Sequence, residues 1–179
     1  MKQDVKNYNF IAKLIHWLSA VVVIAMFALG LWMVDLNYYS SWYQTAPFWH
    51  KSVGILLAAL TLFRVLWKTV TATPSIEGKP YEVKAAKAVH HFLYLLLAVL
   101  FLSGYLISTS DGRGIEVFSL FTLPSLGELF PNQSDLAGQV HYYSAFILIG
   151  FAGLHAAAAI KHHLIDKDDT LRKMTGVIK

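Results

Sequence analysis

Two histidines, His141 and His155, lie 14 residues apart inside one apolar run, QVHYYSAFILIGFAGLHAAAAIKHH, residues 139–163. Fourteen residues turn a helix through about 1400°, roughly 40° short of four circles, so both imidazoles leave one face. They are separated by about 21 Å along the axis at about 1.5 Å per residue. Further histidines stand near the ends of the other apolar runs: His16, His50, and the adjacent His90 and His91. Ionisable groups inside apolar spans are costly and mark functional sites. Two neutral imidazoles facing each other across a helix bundle form the axial pair of a six-coordinate b-type haem. With both axial positions filled, such haems suit electron transfer more than oxygen binding.

These histidines need helices to carry them. Four runs have the length and apolarity of membrane spans, at about residues 9–34, 48–70, 83–109 and 139–163. They predict an all-α, integral membrane four-helix bundle, with residues 1–179 as a single domain. Composition agrees: 56% of the 179 residues are hydrophobic and mean hydropathy is +0.49. The absence of cysteine excludes disulfides, thiolate metal sites, iron–sulfur clusters and covalent c-type haem attachment. Five tryptophans and nine tyrosines suit interfacial belts. The first run is longer than a signal-peptide core and has no clear small-residue cleavage site, so it reads as a retained span. Basic residues flank the apolar runs and form no continuous stripe, which argues against nucleic acid as a partner.

Four spans put both termini on one side. Thirteen of the 15 basic residues, among them Lys2, Lys13, Arg64, Lys68, Lys161 and Lys179, fall on that side, leaving Lys51 and Arg113 opposite. The positive-inside rule then predicts both termini in the cytoplasm. This topology sorts the histidines by depth. His50 and His141 share the outer level; His16 and His155 share the inner one. The expectation is two haems, one per level, with each pair as axial ligands. Gly54 on the second span, and Gly150, Gly153 and Ala156 to Ala159 on the fourth, leave room for a flat macrocycle.

Blander readings bear on the remaining residues. A lone histidine at a span end is ordinarily interfacial; four at matching depths point to haem. His162 and His163 read as solvated tail residues. At most one of His90 and His91 faces the interior, since neighbours diverge by about 100°. Arg64 either snorkels to the interface or partners haem propionates or quinone oxygens, with Lys13 a weaker candidate for that role. The FSLFTLP segment, residues 118–124, is expected to pack back onto the bundle. A membrane di-iron enzyme would need its histidines clustered on one face, whereas these divide between two.

Several segments carry a family resemblance: IHW at 15–17, H-x-x-x-G at 50–54 with Arg64 beyond it, HHFLYLLL with Gly104, GLHAAAAIKHH at 153–163, and the D-x-T-L-R-K-M tail at 168–174. The chain resembles the bacterial cytochrome b561 family of small four-helix, di-haem inner-membrane proteins. The resemblance implies two bis-histidine haem b groups on His16, His50, His141 and His155, with His90 near the inner haem but not ligating it. It implies electron transfer in the bacterial inner (plasma) membrane between ubiquinone and a periplasmic donor, either a protein or superoxide. Close relatives include a superoxide:ubiquinone oxidoreductase. The wider superfamily includes cytochrome b anchor subunits of larger respiratory oxidoreductase complexes, the alternative reading. A positive outer surface would steer superoxide, and here the sequence departs: the outer loops set Lys51 and Arg113 against Asp35, Asp111, Glu116, Glu128 and Asp135.

Overall fold

The structure, a computed structural model, describes residues 5–176. Lys2 and Lys179, which enter the charge count above, lie outside the described residues. Four long helices dominate: α1 (Phe10–Val34), α2 (Thr45–Val70), α3 (Pro80–Thr109) and α4 (Gln133–Lys161). Each is long and apolar enough to cross a membrane. α1 pairs with α2 and α3 with α4, and the two pairs close into a bundle through α2–α3 and α1–α4 contacts. Mid-helix residues such as Val21, Ile24, Leu62 and Leu102 keep their side chains on the outer surface. In water such a surface would aggregate; against lipid it costs nothing, while the helices satisfy their backbone internally.

Three helices begin earlier than periodicity predicts. α2 starts at Thr45 and takes Pro47 into its first turn, where a missing N–H is tolerated. α3 starts at Pro80, and the Glu82 carboxylate accepts from the Lys79 N–H at 2.8 Å. α4 starts at Gln133, six residues before the expected 139, because the polar QSDLAG segment also winds into helix. α1 starts where expected, with the Asn9 side chain accepting from the Ala12 N–H at 2.8 Å.

The long connector is more ordered than its glycines and prolines suggest. It contains an antiparallel hairpin, β1 (Ile115–Val117) and β2 (Phe121–Leu123), an addition to the all-α plan. Ser52 of α2 holds it: its hydroxyl donates to the Glu116 carbonyl and accepts from the Phe118 N–H at 3.1 Å. Phe118 meets Trp49 at 5.1 Å and Phe48 at 6.1 Å between ring centres. That part of FSLFTLP packs onto the bundle, while Leu120 stays exposed. Fully buried Gln133 closes the same end, accepting from the Leu129 N–H at 2.7 Å and donating to the Leu106 carbonyl at 2.9 Å.

The other end is closed by the tail. After α4 the chain makes one π-helical turn (His162–Asp166) and a short helix, α5 (Arg172–Thr175). Trp17 donates to the Met174 carbonyl at 3.1 Å and Lys13 to that of Gly176, so the tail seals the start of α1. Lys173 reaches back to Glu77 and to the Ser75 carbonyl. His162, expected in solvent, is instead half-buried and bonded to Asp168 and Asp166, and His163 has a buried Nδ1. The Asp166 contact is an i, i+4 pair, but the Asp168 contact forms only because the tail folds back after the π-helical turn.

Candidate functional site

The bundle brings the histidines together at two levels. At the end sealed by the tail, the rings of His16 (α1) and His155 (α4) have centres 6.2 Å apart, with planes at 76°. At the hairpin end, His50 (α2) and His141 (α4) repeat that spacing, 6.2 Å with planes at 67°. Two imidazole nitrogens each about 2 Å from one metal ion, with ring centres about 1.1 Å farther out, put those centres roughly 6 Å apart. Both spacings match what two imidazoles sharing one metal ion would need.

Second-level contacts differ between the two. At the hairpin end, Nδ1 of His141 lies 3.1 Å from the Leu100 carbonyl and 3.1 Å from Ser103 Oγ. The carbonyl can only accept, so the proton sits on Nδ1 and the Nε2 lone pair is free for a metal. Ser103 sends its own hydrogen to the Val99 carbonyl at 2.7 Å. Among the described residues the buried Nδ1 of His50 has no hydrogen-bond partner, and close packing bears on that ring. The packing is glycine. A Cβ on Gly30 would stand 3.3 Å from Cε1 of His50, and one on Gly104 would stand 3.3 Å from Cε1 of His141. Both distances are tighter than ordinary contact, so these glycines let α1 and α3 close on the imidazoles.

At the tail end, Arg64 (α2) turns inward. Its Nη2 donates to His16 Nδ1 at 3.0 Å, and its guanidinium lies 5.7 Å from the centre of the Tyr94 ring. A guanidinium can only donate. Nδ1 of His16 is therefore the acceptor in this arrangement, and for Nε2 to ligate a metal the Nδ1 position must take the proton and Arg64 must turn to another acceptor, such as a haem propionate. His90 (α3) lies 5.1 Å from His155 between ring centres, while its neighbour His91 is exposed. Burial pushes the Tyr8 phenol up, and Arg64 opposes that shift. Lys13 is not part of this group; it bonds the Gly176 carbonyl.

Sequence reasoning assigned the close packing to other glycines: Gly104 entered only through the family resemblance, and Gly30 not at all. Gly54 meets only Met26 at an ordinary 3.6 Å, and nothing lies within 4 Å of a Cβ on Gly150 or Gly153. Gly30 and Gly104 do the close packing. One signal was available: each stands 14 residues beyond a histidine, Gly30 beyond His16 and Gly104 beyond His90.

A family model described as prokaryotic cytochrome b561 matches residues 7–176. The chain is 46% identical over 173 residues to cytochrome b561 homolog 2 of Escherichia coli strain K12, covering 96% of this chain and 92% of that protein. It is 31% identical over 172 residues to a Yersinia pestis protein named "Probable superoxide oxidase CybB", covering 94% and 96%. It is 27% identical over 168 residues to E. coli cytochrome b561 homolog 1, covering 89% and 92%. Family membership implies b-type haem in a multi-pass membrane protein. The matches span nearly the whole chain, and the chain belongs to the prokaryotic cytochrome b561 family.

Proposed function

We propose that this chain is a di-haem electron-transfer cytochrome of the bacterial inner membrane, with residues 1–179 acting as one domain. His50 and His141 hold one b haem, and His16 and His155 hold the other. The observation that carries this reading is the repeated 6.2 Å spacing of two imidazole pairs on one bundle. Haem supplies a one-electron iron couple, and bis-histidine ligation keeps that iron closed to other ligands.

The protein's part is to position, insulate and tune. α4 contributes to both levels and sets their separation, about 21 Å between ligand positions along the axis. Gly30 and Gly104 hold the hairpin-end rings, and the Leu100 carbonyl orients His141. Arg64 and His90 form the polar surroundings of the tail-end level. Their donors suit haem propionates and the oxygens of ubiquinone, the proposed electron acceptor. The charge distribution supports placing the tail end in the cytoplasm. Electrons then enter from a periplasmic donor at the hairpin end and leave to ubiquinone at the other.

The test is a relay measurement on purified protein. Chemically reduced protein mixed with a short-chain ubiquinone is expected to reoxidise fully, with one quinol formed per two electrons. Reoxidation that does not respond to ubiquinone concentration would exclude the quinone step.

A further inference from the structure

We propose that the hairpin end is a docking surface for a cationic one-electron donor. The inference rests on the electron-transfer reading above and names the class of donor. With haem bound, one electron would pass from that donor to the iron held by His50 and His141, and no bond would form or break.

Charge is divided sharply between the two ends. At the tail end the described residues carry eleven lysines and arginines against five carboxylates; at the hairpin end they carry two against five. One of those two cations is already neutralised. Arg113 Nε donates to Asp111 at 2.7 Å, a pairing that holds the Asp111 carboxyl below its usual range and Arg113 above its own. Asp35, Glu116, Glu128 and Asp135 remain, all exposed, with Lys51 as the opposing charge.

These four carboxylates come from separate segments, all at the end of the bundle that holds His50 and His141. Asp135 precedes His141 by six residues on α4, about 9 Å along the axis. Asp35 caps α1 five residues past Gly30, the glycine packed on His50, or about 8 Å beyond it. Glu116 is in β1, its carbonyl bonded to Ser52, two residues from His50. Glu128 precedes Leu129, whose N–H is bonded by Gln133 at the start of α4. An excess of negative charge at this end raises the local concentration of cations and repels anions, by factors of about 10 to 1,000 in encounter rate. Superoxide, the anion in the name of the Yersinia relative, approaches this surface against the field.

Encounter steering depends on the charge of the reactant and not on the direction of the electron, so oxidants probe the same surface. Dithionite-reduced protein in a neutral detergent is mixed with tris(phenanthroline)cobalt(III), a cation, and in parallel with ferricyanide, an anion. Raising ionic strength to about 0.5 M is expected to slow oxidation by the cation about tenfold. The combined variant Asp35→Asn, Glu116→Gln, Glu128→Gln, Asp135→Asn is expected to lose most of that salt dependence while keeping the wild-type haem spectrum. A cobalt rate that is insensitive to salt, or unchanged in the variant, overturns the cationic-donor inference. Normal ferricyanide oxidation in that case leaves the electron-transfer reading standing. A chain that purifies without haem overturns that reading itself.

Discussion

Gly30 of α1 lies against the imidazole of His50 in α2, so close that a Cβ would stand 3.3 Å from Cε1. That contact belongs to a pattern running through the whole bundle. Every long helix gives one residue to each level, and the two residues are always 14 apart: His16 and Gly30 on α1, His50 and Arg64 on α2, His90 and Gly104 on α3, His141 and His155 on α4. Gly30, His50, Gly104 and His141 meet at the hairpin end. His16, Arg64, His90 and His155 meet at the tail end.

The glycine contacts make a selective prediction. Gly30→Val or Gly104→Val pushes a branched side chain into an imidazole, and the protein is expected to keep the tail-end haem while losing the other. Haem per chain, by pyridine haemochrome assay, should fall by about half. Gly153→Ala, where nothing lies within 4 Å of the new Cβ, should leave the count unchanged.

Arg64 carries a fixed cation beside His16. A positive charge stabilises the reduced, less positive iron, so its removal lowers the reduction potential of that level. Arg64→Met is expected to lower one of two potentials by tens of millivolts, at an effective dielectric constant of about 20. Arg64→Lys should retain most of the wild-type value. A redox titration reads both, and equal effects of Met and Lys would assign Arg64 a packing role instead.

The hairpin end depends on Gln133. Its side chain satisfies a buried N–H and a buried carbonyl from two segments of the chain. Gln133→Ala leaves both unpaired, at a cost of about 2–4 kcal/mol. Thermal melting followed at the haem absorbance should shift to lower temperature. Gln133→Leu, which fills the volume without the bonds, should not recover it.

The tail has an acid-sensitive contact. Burial pushes Asp168 up, but hydrogen bonds from the Thr170 N–H and from His162 outweigh it and hold the carboxyl below its usual range. A group with a lowered folded pKa contributes stability above its unfolded pKa of 3.8 and loses it as pH falls toward the folded value. Protease nicking of the tail should therefore rise on acidification below about pH 4. Asp168→Asn should raise nicking already at neutral pH and flatten the response to acid.

Part of this design was legible in the residues. α4 declared itself because both of its level positions are histidines, which stand out in an apolar run. The matching positions on α1 and α3 end in glycine, which an apolar span uses for many purposes, so the 14-residue spacing of Gly30 and Gly104 from a histidine did not stand out. Arg64 at a span end had two equal explanations until the bundle placed it on His16. The hairpin was hidden because its pairing is held by Ser52, 64 residues from Glu116. His162 was hidden similarly, since the tail that covers it packs through contacts distant in sequence, such as Lys173 with Glu77.

Haem stoichiometry in single-histidine variants tests the central claim most directly. The wild-type protein should contain two b haems per chain. His16→Ala and His50→Ala should each leave one, lost from different levels, with distinguishable potentials for the haem that remains. His141→Ala should match the loss from His50→Ala, and His155→Ala the loss from His16→Ala. One haem in the wild type, or two in any of these variants, would contradict the pairing.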